Sequence, residues 1–120
     1  MKRLVVDIDL TITIAGEQEY HDKIPNLEVV EKLRNYKKKG FEIILFTSRN
    51  MKTYKSDLSK INRFTLPVII DWLDKNNVPY DGILMGKPWC GTEGFYVDDK
   101  AIRPSEFTDL SYEQILKLIK

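Results

Sequence analysis

Residues 41–47, Phe-Glu-Ile-Ile-Leu-Phe-Thr, narrow most sharply what this chain can fold into. A run this apolar, with no polar alternation, suits a strand buried on both faces, and such strands belong to parallel sheets covered by helices. The run then breaks into Thr47-Ser48-Arg49, so a buried strand delivers polar groups at its carboxyl end. Three other segments do the same. Leu4-Val5-Val6 and Ile8 run into Asp7 and Asp9, residues 82–86 lead to Lys87, and Gly94-Phe95-Tyr96-Val97 ends in Asp98 and Asp99.

Helical patterns separate these strands. Asn26 is a good amino-terminal cap, Leu27, Val29, Val30, Leu33 and Tyr36 form an apolar stripe, and Gly40 stops the helix. Two further helices are predicted near 51–62 and 66–76, with Pro67 in the first turn of the second. Ser111 opens the last helix and Gln114 completes a capping box. Residues 10–25 lack a period and predict a loop or small hairpin. The order strand, helix, strand, helices, strand, strand, helix predicts an α/β fold: one Rossmann-like domain over residues 1–120, with a mainly parallel sheet and helices on both faces. Ligands of such sheets bind beyond the carboxyl ends of the strands, where the polar residues lie.

Composition removes several classes of function. Nineteen basic residues against eighteen acidic ones leave a net charge of +1, which provides neither a nucleic-acid footprint nor attraction to an anionic membrane. Cys90 is the only cysteine, so neither an intrachain disulfide nor a cysteine-based zinc site is available. No apolar stretch approaches a membrane span and the amino terminus reads directly as a strand, so the expected compartment is the cytoplasm. Aspartates without a nearby histidine or thiol suit magnesium, a hard cation that shares its shell with water and substrate phosphate. A calcium-loop reading fails, because the sixth and twelfth positions from Asp7 are Ile12 and Gln18.

Together, "DIDLT", "ILFTSR", "GKPW" and "FYVDD" resemble the four motifs of the haloacid dehalogenase superfamily of phosphohydrolases. The longer stretch 60–107 is similar to small hydrolases associated with capsular polysaccharide biosynthesis in bacteria. The resemblance implies a core without a cap domain, since no interval between motifs leaves room for one. It implies that Asp7 is the nucleophile and Asp9 the general acid and base. Thr47 would hold the transferring phosphoryl group and Lys87 would neutralise charge beside Asp7. Magnesium would be held by the Asp7 carboxylate, the Asp9 backbone carbonyl and Asp98, with Asp99 acting directly or through water, and Thr11, Ser48 and Arg49 are candidate substrate contacts. The implied partner is a small phosphorylated substrate, a sugar phosphate of surface polysaccharide synthesis, and an open site implies a homo-oligomer. A phosphatase of nucleic-acid ends or phosphoprotein is one alternative, and a non-catalytic module for metal and phosphate is another.

Some residues carry two readings. Arg49 could fork onto substrate or pair with a surface acid, and Asp99 could bind metal or amides of its own loop. Position 10, often glycine in the family, is Leu10.

Overall fold

The computed structural model describes all residues 1–120, which divide into two compact units, Met1–Trp89 and Cys90–Lys120. The first holds β1 (Arg3–Val6), α1 (Leu27–Lys38), β2 (Glu42–Thr47), α2 (Leu58–Lys60), α3 (Leu66–Lys75) and β3 (Gly82–Met85). The strands form a parallel sheet in the order β1-β2-β3, with Val6 beside Leu45 and Thr47 beside Met85. The α/β class and parallel sheet therefore follow the sequence pattern.

The helix at 27–38 forms for the expected reasons. Asn26 Oδ1 accepts from the Val29 N–H at 3.3 Å, and Val29, Val30, Leu33 and Tyr36 are buried. Gly40 follows at φ +89°, a conformation that favours glycine. On the sheet, Ile43, Leu45 and Thr47 are all but inaccessible. Register places Val5, Ile44, Phe46 and Leu84 on the opposite face, where Val5 is 63% and Leu84 57% exposed. These two side chains on that face are exposed.

Two predicted elements are corrected. The helix near 51–62 is a series of turns as far as Ser56, because Asn50, Lys55 and Ser56 adopt φ values of +61°, +51° and +63°. Helix then starts at Leu58, capped by Asp57, and passes through a π-helical turn at Ile61–Thr65 into α3. That wider turn falls on Arg63, four residues before Pro67, where an α-helical carbonyl would meet the proline ring. The predicted strand at 94–99 has no ladder, and the sheet stops at three strands. An apolar pattern can suit a strand, but only a neighbouring strand can supply the hydrogen bonds.

Residues 10–25 form a tied excursion. Ile14 N–H donates to Ile24 O and Asn26 N–H to Ile12 O, around an antiparallel bridge between Thr13 and Pro25. Tyr20–Asp22 make one 3-10 turn, and Trp72 Nε1 donates to Lys23 O at 2.8 Å. At the entry to this excursion Leu10 adopts φ +61°, while the N–H groups of Thr11, Ile12 and Thr13 all converge on Ile8 O. Leu10 is 68% exposed, so its side chain contributes little packing against a left-handed backbone cost. Leu10→Gly is expected to raise stability by about 1 kcal/mol, read as a higher urea midpoint.

Asp81 fastens the opposite end of the sheet. Its Oδ2 accepts from the Ile43 N–H at 2.7 Å, its own N–H donates to Ile43 O, and Lys37 Nζ bonds its other oxygen. The Lys37 bond foremost, then the Ile43 N–H, hold its carboxyl below the ordinary value. A carboxyl depressed in the folded state stabilises the fold above its unfolded pKa, about 3.9, and loses that contribution as pH falls through the folded value. Asp81→Asn should therefore lower the melting temperature at pH 7, with the gap to the parent closing as pH falls through the depressed folded value.

The second unit contains α4 (Pro104–Asp109) and α5 (Tyr112–Leu118). Glu106 accepts from the Arg103 N–H at 2.9 Å, and Ser111 and Gln114 cap each other's amides at 3.2 and 2.8 Å, as predicted.

Candidate active site

The carboxyl ends of β1, β2 and β3 bring Asp7, Asp9, Thr47, Arg49 and Lys87 into one set of contacts. Lys87 Nζ lies 4.0 Å from Asp7 Oδ1, and its N–H donates to Thr47 O at 3.1 Å. Parallel pairing of Thr47 with Met85 sets that spacing. Thr47 is 1% exposed, and its Oγ1 accepts from the Arg49 N–H at 3.0 Å. With an acceptor position filled by backbone, the hydroxyl proton is the part left to give to an acceptor.

Arg49 resolves in favour of a pairing that neither sequence reading named. It is 4% exposed and forks onto Asp9, Nε to Oδ2 at 3.1 Å and Nη2 to Oδ1 at 2.7 Å. The Tyr20 ring covers its other side, with Cζ 4.2 Å from the ring centroid. Its Nη1 is buried with no hydrogen-bond partner. Arg49 is therefore fixed against Asp9 from a buried position and is not a surface pair. Tyr20 is a site neighbour that sequence reading missed, since nothing in residues 10–25 signals which ring will turn inward.

Burial lifts the Asp7 carboxyl above its ordinary value. Lys87 and the Ile8 amide pull it down, the Asp9 charge pushes it up, and Arg49 again lowers it. A carboxylate so placed is partly stripped of water and still faces a cation.

Thr11 and Ser48 are half-buried on the same turns, Thr11 donating its N–H to Ile8 O and Ser48 O accepting from Met51. Neither caps a following helix. Asp98 and Asp99 belong to the second unit. Asp98 Oδ1 accepts from the Lys100 N–H at 2.9 Å, the first cause of its lowered pKa.

No three histidine, cysteine, aspartate or glutamate side chains gather into a metal-holding group. Magnesium asks less of a protein: one or two carboxylates suffice when water and phosphate fill the rest. Asp7, half-buried and ending a strand, fits that demand, and the Arg49 fork engages the two Asp9 carboxylate oxygens, not the backbone carbonyl expected to face the cation.

The fold and site define an α/β protein with acidic and basic groups at one end of a parallel sheet. A crystal structure of an MCSG target from Vibrio cholerae is 54% identical, matched over 99% of this chain and 97% of that one with a TM-score of 0.97. The chain belongs to the same family as that Vibrio cholerae protein. A chain from the structure of the Pnkp1/Rnl/Hen1 complex is 21% identical, with a TM-score of 0.52 over 91% of this chain and 34% of that one, a likeness of fold alone. No protein-family model and no curated protein matches. No helix is long and apolar enough to cross a membrane.

Proposed function

We propose that the chain is a capless phosphatase of the haloacid dehalogenase type, hydrolysing a phosphomonoester through an aspartyl phosphate. The observation that carries this reading is Asp7 at the end of β1 with Lys87 Nζ 4.0 Å away and Asp9 held beside it by Arg49. An Asp7 oxygen attacks phosphorus, the ester oxygen leaves, and Asp9 gives that oxygen a proton. A water then attacks the acyl phosphate and passes its proton to Asp9, freeing inorganic phosphate and restoring Asp7. Lys87 balances charge gathering on the phosphoryl oxygens, and Thr47 donates its hydroxyl to one of them. The Arg49 fork fixes the direction from which Asp9 moves its proton.

Bound magnesium would lessen repulsion between the Asp7 carboxylate and the anionic ester. Asp98 and Asp99 are the other carboxylates this reading assigns to the cation. The substrate class proposed is a sugar phosphate of surface polysaccharide synthesis, supported by the resemblance of residues 60–107 and by the net charge of +1, which gives nucleic acid no electrostatic hold.

The test is phosphate release from sugar phosphates, nucleotides, 3′-phosphorylated oligonucleotides and phosphopeptides, with magnesium and with a chelator. Magnesium-dependent release that favours sugar phosphates supports the proposal. A preference for oligonucleotides or phosphopeptides replaces the substrate class, and silence across the panel removes the phosphatase.

A further inference from the structure

β1 has β2 on one side and no strand on the other. A parallel sheet is stable when both faces and edges are covered, because its open edge offers unpaired N–H and C=O groups and its open face offers hydrocarbon to water. Here Val5 on β1 is 63% exposed and Leu84 on the same face 57% exposed. The same chain carries a segment with strand pattern and no ladder: Phe95 and Val97 are 79% and 88% exposed, and Asp98 follows. An edge without a strand and a strand without an edge, on one polypeptide, are self-complementary.

We propose that two copies of this chain exchange these segments: residues 94–98 of a second copy run parallel to β1 along its open edge, placing that copy's Asp98 beside Asp7 of the first. The exchange is reciprocal, as an isologous dimer requires. It makes each site from two chains and rests, for its catalytic part, on the phosphatase reading.

Chain length favours the second copy over the chain's own segment. A parallel strand beyond β1 starts at the opposite end of the sheet from Met85, and a crossover of that kind takes a dozen or more residues, usually including a helix. Only residues 86–93 separate Met85 from Gly94, eight residues with no helix among them. A segment arriving from another molecule carries no such limit. Net charge does not oppose pairing either, at +1 per chain. Parallel alignment also brings both strands to their aspartates at the same end, where a cation needs carboxylates.

The first measurement is the mass of the full chain by sedimentation velocity at micromolar concentration, which involves no activity. A species of twice 14.1 kDa is expected. Val97→Asp, in the donated segment, and Val5→Lys, on the receiving strand, should each give monomer with unchanged helix content by circular dichroism. A monomeric parent, or a dimer that survives both substitutions, overturns the exchange.

The second measurement mixes Asp7→Asn chains with Asp98→Asn chains after joint unfolding and refolding. In a mixed dimer one site receives both substitutions and the other receives neither, so random pairing should restore about a quarter of the parent's phosphate release. No restoration from two inactive variants whose parent is an active dimer overturns the shared site. An inactive parent that is dimeric and split by both substitutions removes the phosphatase reading and leaves the strand exchange standing. An active monomer does the reverse.

Discussion

Asp7→Asn is expected to abolish turnover, by about a thousandfold or more, while the melting temperature holds or rises. The amide keeps the shape of the carboxylate but has no lone pair able to displace an ester oxygen from phosphorus. Because burial already opposes the Asp7 charge, removing that charge costs the fold little. The measurement is a steady-state rate on the preferred substrate beside a thermal melt. Loss of rate with a lowered melting temperature would point to a misfolded variant, and a retained rate would remove Asp7 as nucleophile.

The second large effect falls on Arg49. Arg49→Leu strands the Asp9 carboxylate without its fork, removes the cation under the Tyr20 ring and deletes the Nε and Nη2 donors. The expected loss is about 3 kcal/mol, the lower end of what breaking a buried pair costs, since the Asp9 side chain is 36% exposed. Arg49→Lys should not rescue it, because an ammonium cannot donate two parallel bonds to Asp9. Urea denaturation reads the stability. The rate should fall mainly in kcat, because in the proposed mechanism Asp9 moves a proton and does not hold the substrate. A change confined to KM would instead make Arg49 a substrate contact.

Much of the fold could be read from local pattern. Asn26, the 27–36 stripe and Gly40 specify α1 by short-range rules, and the apolar run at 43–46, too short for a helix and bounded by Gly40 and the Thr47-Ser48-Arg49 break, reads as a buried strand. Residues 51–62 mislead because Met51, Tyr54, Leu58 and Ile61 repeat at helical spacing. The break comes from Lys55 and Ser56, two residues with no special preference for the left-handed backbone they adopt. Residues 94–99 mislead for another reason: whether an apolar alternation becomes a strand depends on which edge is available, and no local pattern encodes that. Leu10 adopts φ +61°, a backbone region that glycine enters without steric cost.

The site was legible as a set of strand ends, which placed Asp7, Asp9, Thr47 and Lys87. The grip of Arg49 on Asp9 was not, because forty positions separate the partners and the preference of guanidinium for carboxylate selects no particular acid. Tyr20 escaped notice for the same reason, as its contact depends on how the 10–25 excursion folds back.

The hydrogen bond from Trp72 to Lys23 gives the molecule an optical property. Trp72 is 3% exposed and bonded to that excursion, whereas Trp89, the other indole, is 48% exposed. The two should emit at different wavelengths, and a water-soluble quencher should reach Trp89 far more readily than Trp72. Any movement that lifts residues 14–24 breaks the Trp72 bond, so the shorter-wavelength emission should report the excursion's position without a label. Bound ligands could then be followed by light, whether or not turnover occurs.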